Sequence, residues 1–125
     1  MRLFLLILIS ILFSGCLKLS KELSSQEQLG HDYVLALKTQ DMEIFPRLFT
    51  QEYLKKMKKV GIKVILTDEA KKILGKYGDY QLEDFQYNFQ GNDEKGRLYF
   101  FFKGERTAEK VIIKEKNKWV FISLD

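Results

Sequence analysis

The spacing of apolar residues changes after Gly78, and this change limits the chain to folds that combine helices with a sheet. Before Gly78 the apolar residues recur at helical spacing, as in Leu29, Tyr33 and Leu37. After it, Phe85, Tyr87 and Phe89 alternate with polar residues, which is the period of a strand, and Arg97–Lys103 follows as a strand that is apolar on both faces. We therefore predict an α+β fold, with N-terminal helices packed on a four-stranded antiparallel meander.

Capping residues set the limits of the first predicted helices. Ser24 and Glu27 have the spacing of a capping box, so the first helix should run from about Ser25 to Thr39. Asp41 is the predicted N-cap of a second helix. Pro46 should kink or split that helix, because proline lacks the backbone N–H that the ladder needs.

The rest of the helical half is less regular. Thr50 is the predicted cap of the second piece of the split helix, and Gly61 its stop. Residues Ile62–Leu66 fit either a short strand or an extended linker. Thr67 should cap a third, short helix, with the pair Asp68-Glu69 favourable in its first turn.

Turn residues divide the second half into four strands. The segment "GNDEKG", the triplet Lys103-Gly104-Glu105 and the pair Lys116-Asn117 are the predicted turns. The strands between them should begin near Phe85, Arg97, Thr107 and Lys118, and the last should continue to about Leu124.

The chain has 125 residues and a single cysteine, so no intramolecular disulfide can hold the fold. Stability must come from the hydrophobic core, for which 46% apolar and 14% aromatic residues are sufficient. The length fits one domain.

The first sixteen residues have the features of a secretory signal. Arg2 gives a positive start, and Leu3–Phe13 is apolar apart from Ser10. As a helix, this run is shorter than the roughly 30 Å of a membrane core. The small residues Ser14 and Gly15 follow it.

Ser14, Gly15 and Cys16 resemble the lipobox of bacterial lipoprotein signal peptides, with Phe13 where leucine is usual and Leu12 one place earlier. The resemblance implies cleavage between Gly15 and Cys16, a diacylglyceryl group on the Cys16 thiol, and acylation of the new amino group. The alternative is a short core segment ending in a buried cysteine, which fits poorly with the polar stretch that follows.

The lipobox divides the chain into a signal peptide (residues 1–15), a lipidated tether (16–25) and one α+β domain (26–125). Two or three acyl chains would hold the protein firmly on the extracytoplasmic side of a membrane. Leu17 stands where lipoproteins of the inner membrane commonly have Asp. This favours the periplasmic face of the outer membrane in a cell with two membranes, and the cell membrane otherwise.

The mature part resembles small lipoproteins of the nuclear transport factor 2-like, or cystatin-like, fold. The resemblance is carried by the first helix, by "TQDMEIFPRLFT" and by the final hairpin "VIIKEKNKWVFI". It implies a curved, cone-shaped sheet that can enclose a pocket. Members of this fold include isomerases and dehydratases as well as proteins that only bind ligands or partners, so the fold does not decide the function.

The residues supply few groups for catalysis. His31 is the only histidine and is predicted to face water, so neither a zinc site of the usual kind nor a Ser-His or Cys-His pair can form. We expect no metal and no cofactor. The pairs Asp68-Glu69 and Asp41-Glu43 most simply complement helix N-termini, and Asp84 should point away from the core.

Two functions therefore remain open. The first is a non-catalytic, membrane-anchored protein that binds an envelope protein or a small apolar ligand, or has a structural role. The second is a cone-fold enzyme that uses Glu83 or Asp84 together with Tyr33 or Tyr87. A pocket with an inward carboxylate beside a tyrosine hydroxyl would favour the second.

Basic residues form two small clusters, Lys55–Lys59 and Lys114–Lys118. They are predicted to be solvated surfaces, with contact to phosphate or anionic lipid as the alternative. Nucleic acid is not an expected partner of a secreted protein.

Overall fold

The computed structural model describes residues 22–125, and the predicted signal peptide and Cys16 lie outside this range. The described part is an α+β domain in which helices precede an antiparallel sheet, as predicted. Its elements are α1 (Ser25–Thr39), a 3-10 helix (Phe45–Leu48), α2 (Gln51–Val60), α3 (Ile62–Tyr77), a 3-10 turn (Leu82–Asp84), β1 (Phe85–Gly91), β2 (Lys95–Phe102), β3 (Glu105–Glu115) and β4 (Lys118–Phe121).

The capping box at the start of α1 is confirmed. The Ser24 hydroxyl accepts a hydrogen bond from the Glu27 backbone N–H, and the Ser24 N–H donates to the Glu27 carboxylate, both at 3.1 Å. Asp41 accepts from the backbone of Glu43 and Ile44 at 2.9 and 3.0 Å. The first pair of bonds fixes the start of α1, and the second pair fixes the turn that follows it. Asp41 is not the N-cap of a helix as predicted, because the 3-10 helix begins only at Phe45, with Ile44 as its N-cap.

The predicted second helix is divided into two pieces, as expected, but the break lies at Phe49 and Thr50 rather than at Pro46. Pro46 lies in the first turn of the 3-10 helix, where no donor is needed. The chain is then extended through Phe49, and α2 begins after Thr50, whose hydroxyl accepts from the Tyr53 N–H at 3.1 Å. Gly61, with φ of +113°, ends α2.

The prediction for residues Ile62–Leu66 is wrong, because they form the first turns of α3. Their β-branched side chains favour a strand locally. In the fold, however, Leu66 and Ala70 are buried at a spacing of four, and Ile62 and Ile73 pack against the core on the same side. Burial of this helical face outweighs the local preference.

Thr67 is consequently not an N-cap. It lies inside α3, which follows Gly61 without a side-chain cap. Asp68 and Glu69 lie in the middle of the helix rather than in its first turn, so their predicted role at a helix N-terminus is wrong too.

The sheet is the predicted meander, in the order β1-β2-β3-β4. Lys116 and Asn117 join β3 to β4 with φ values of +50° and +65°, as a tight primed turn requires. β4 ends at Phe121, which is shorter than predicted. At this point Phe49 forms a parallel bridge with Phe121, and the Thr50 N–H donates to the Phe121 carbonyl at 3.0 Å.

A bulge in β3 attaches α3 to the sheet. Phe100 pairs with Ala108 and Phe101 pairs with Arg106. Thr107, which lies between them in β3, therefore has no opposite residue in the backbone register with β2. The Thr107 hydroxyl accepts from the Tyr77 hydroxyl at 2.7 Å, at the C-terminal end of α3.

The core between α1 and the sheet is mainly aromatic. The Tyr33 ring packs on the rings of Phe45, Phe100 and Phe121, with centroids 5.3 to 6.5 Å apart. α1 lies very close to the sheet at Gly30, because Tyr87 and Leu98 occupy the space that a side chain would need. Among residues 22–125, no helix is long and apolar enough to cross a bilayer.

Candidate functional site

A cavity of about 180 Å³ lies between α1, α3 and the sheet. This is roughly the volume of six water molecules, and it is smaller than the roughly 300 Å³ at which drug-sized pockets begin. Most of its wall is apolar, and exposed lysines stand at its rim. The lining residues are Tyr33, Val34, Leu37, Glu69, Lys72, Ile73, Lys76, Tyr77, Phe85, Phe100, Ala108 and Lys110.

Tyr33 and Glu69 supply a neighbouring hydroxyl and carboxylate in this cavity. Burial is the main cause that raises the pKa of Tyr33 far above its ordinary value, and the negative charge of Glu69 raises it further. The hydroxyl is therefore a stable hydrogen-bond donor at neutral pH. The Glu69 side chain is 18% exposed and pairs with Lys72 at 3.2 Å.

Lys110 adds a cation on the sheet side of the cavity. Burial lowers its pKa, and the charges of Glu69 and Asp125 oppose part of that change. Its ammonium group lies 5.0 Å from the centre of the Tyr33 ring and donates a hydrogen bond to the Leu124 carbonyl. The cavity thus combines apolar walls with a hydroxyl, a carboxylate and a partly buried ammonium group.

The pairings considered for an enzyme are only partly present. Tyr33 lines the cavity, but neither Glu83 nor Asp84 does. Glu83 is exposed, and Asp84 accepts from the Gln81 N–H at 2.9 Å, where it caps a 3-10 turn. Tyr87 lies elsewhere, and its buried hydroxyl has no hydrogen-bond partner within the described residues.

The sequence pattern places Glu69 in the first turn of a helix that begins after Thr67, and this position gives no reason to expect it in a cavity. A helix that starts at Ile62 instead places Leu66, Glu69 and Ile73 on one face, at steps of four, three and four. A carboxylate within an otherwise apolar helical face was the signal that could have identified it.

His31 lies on α1, outside the cavity. Its side chain is 32% exposed, so it is only partly open to water, and its ring nitrogen lies 3.7 Å from an Asp32 carboxylate oxygen. Within residues 22–125, no three His, Cys, Asp or Glu side chains come together as metal ligands.

Comparison with protein-family models, with curated proteins and with solved structures found no significant match to this chain. The resemblances to bacterial lipoproteins and to the cystatin-like fold therefore remain predictions.

Proposed function

We propose that this protein is a lipid-anchored protein of the extracytoplasmic membrane surface, whose domain binds a small, mainly apolar molecule. The observation that carries the binding function is the cavity between α1, α3 and the sheet, with the Tyr33 hydroxyl, Glu69 and Lys110 among apolar walls. A few polar groups set in an apolar cavity are typical of a ligand site. The lipobox residues Ser14, Gly15 and Cys16 carry the anchor.

The cone-shaped, cystatin-like architecture belongs to the same proposal. Helices on one side of a four-stranded meander are compatible with it, and the cavity lies between these two layers. The core rings of β1 and β2, Phe85 and Phe100, form part of its wall.

The charges around the cavity indicate the polar end of the ligand. Lys72, Lys76 and Lys110 outnumber Glu69, which already pairs with Lys72. A carboxylate or hydroxyl on the ligand can accept a hydrogen bond from Lys110, whereas an ammonium group would meet like charge. We propose a short aliphatic or aromatic molecule with one such accepting group.

Probes with the same carbon chain and different head groups test this. Hexanoate should bind with NMR shifts at Tyr33, Ile73 and Ala108, hexanol more weakly, and hexylamine least. Lys110→Met should weaken hexanoate binding about tenfold, the effect of one charge-assisted hydrogen bond, and should spare hexanol. Lys114→Met is the matched control and should leave both unchanged. Equal binding of all three probes, or shifts outside the cavity, would contradict the proposed ligand chemistry.

The anchor is tested by mass spectrometry and labelling in cells. Cys16→Ser should give an uncleaved chain without acyl mass or incorporated palmitate. Serine has no thiol, so it cannot form the thioether that joins the diacylglyceryl group to the chain. Ser14→Ala is the control, since the lipobox accepts either residue, and it should remain acylated. Wild-type protein that is free in solution and without acyl mass would show that the anchor is wrong.

An enzyme of the cone-fold kind is the second candidate, and the neighbouring Tyr33 and Glu69 favour it. Glu69 could accept a proton from the carbon beside a carbonyl group, while Tyr33 or Lys110 donates to the carbonyl oxygen. This function differs from binding in one readout. Exchange of solvent deuterium into a bound small ketone, abolished by Glu69→Gln, would favour the enzyme.

A further inference from the structure

The two lysine clusters, far apart in the sequence, lie on two elements that are in contact in the fold. The backbone N–H of Gln51, at the start of α2, donates to the Glu115 carboxylate of β3 at 3.0 Å. This bond joins the helix that carries Lys55–Lys59 to the hairpin that carries Lys114–Lys118. It also engages Glu115, the acidic residue within Lys114–Lys118, with a helix N-terminus.

A groove of about 260 Å³ lies at this junction. Its walls include the apolar side chains of Phe49 and Leu54, and Arg47, Lys116 and Lys118 line it as well. The groove therefore combines an apolar floor with three cations and one engaged carboxylate.

The basic surface continues from this groove in two directions. On α2, Lys55 and Lys58 follow Gln51 by four and seven residues, so they extend the helix face that meets the hairpin. Toward α1, Arg47 and Lys118 also line a second groove of about 560 Å³, together with Ser25 from the first turn of α1.

Arg47, Lys55, Lys58, Lys116 and Lys118 are all exposed. We call them the basic surface. The carboxylates that line its two grooves are Asp32 and Glu115, so cations outnumber acids in the groove walls. On α2, exposed Glu52 lies beside Lys55.

The position of the tether places this surface close to the membrane. Ser24, the cap of α1, is eight residues after Cys16. Even fully extended, that stretch spans at most about 29 Å. With Cys16 anchored as proposed, the start of α1, which shares a groove with Arg47 and Lys118, would be held within this distance of the bilayer.

We propose that the basic surface binds the phosphate headgroups of anionic phospholipids in the membrane that carries the anchor. This proposal rests on the proposed lipid anchor for the choice of partner. Arg47 can hold a phosphate through two parallel N–H bonds, and the lysines act as point charges beside it. Binding would orient the domain with α2 and the β3–β4 hairpin toward the lipid.

The test uses the unacylated mature chain, residues 16–125 with Cys16→Ser, which contains the whole described domain. It should co-sediment with vesicles of phosphatidylglycerol mixed with phosphatidylcholine, and should not bind phosphatidylcholine alone. Lys116→Gln with Lys118→Gln should weaken binding about 30-fold, since each lysine near an anionic surface contributes about a fivefold effect. Added salt should weaken binding as well.

Lys103→Gln with Lys71→Gln is the matched control. It removes the same charge, and Lys103 occupies a tight turn with φ of +50°, as Lys116 does. An equal loss of vesicle binding in both double variants would mean that only the net charge matters, and it would overturn the proposal. Absence of vesicle binding by the parent chain would overturn it too. Since no acyl chain takes part, these outcomes are independent of the mass measurement that tests the anchor.

Discussion

Replacing Phe121 with alanine should lower the free energy of unfolding by about 4 kcal/mol, the largest effect that we expect from a single truncation. The Phe121 side chain is completely buried, and its ring lies against those of Tyr33, Phe49 and Phe100. These rings come from α1, from the extended segment before α2 and from β2. A cavity at their junction would therefore weaken the packing of three parts of the core. The loss is large, because the whole free energy of unfolding of a small domain is only about 5 to 15 kcal/mol.

Urea unfolding followed by fluorescence of Trp119 measures this change. Ile122→Ala is the matched control. The Ile122 side chain is 39% exposed, so its truncation should lower the free energy of unfolding by less than about 1 kcal/mol. Similar losses in the two variants would mean that Phe121 is not at the centre of the core.

Replacing Gly30 with valine should cost about 3 kcal/mol, although valine forms helices better than glycine. A Cβ atom at Gly30 would lie 2.5 Å from Cδ1 of Tyr87 and 3.1 Å from Cδ2 of Leu98. Both neighbours are buried in the sheet, and an aromatic ring cannot bend away as a flexible side chain does. The helix would have to move off the sheet.

Gly75→Ala in α3 is the control with the opposite expected sign. A Cβ atom there meets nothing within 4 Å, so the domain should gain about 0.5 to 1 kcal/mol from helix propensity alone. Thermal unfolding of both variants measures the two effects. A stabilised Gly30→Val protein would contradict the close approach of α1 to the sheet.

The sequence predicted best where local chemistry decides the structure. The limits of α1 follow from the capping box of Ser24 and Glu27, and the turn at Lys116-Asn117 follows from residues that tolerate positive φ. The order of the strands follows from short turns between them. In each case a few neighbouring residues are enough to specify the conformation.

Where distant contacts decide, the prediction was wrong. Residues Ile62–Leu66 have strand-forming side chains, but they are helical because Leu66 meets the core built by other elements. Because the predicted α3 therefore starts at Thr67 instead of Ile62, Glu69 is predicted to complement a helix N-terminus rather than to line a cavity. The helical pattern can place Glu69 on the apolar face of α3, but its position beside Tyr33 depends on how α3 packs against α1 and the sheet.

The bridge between Phe49 and Phe121 has a consequence for how copies of this chain meet. β4 is an edge strand of the sheet. An exposed edge strand can form backbone hydrogen bonds with a strand of another molecule. The Thr50 amide already occupies the Phe121 carbonyl, so an incoming strand would find that acceptor taken. Where many copies of the chain lie close together, this bond therefore disfavours edge-to-edge pairing of their sheets along β4.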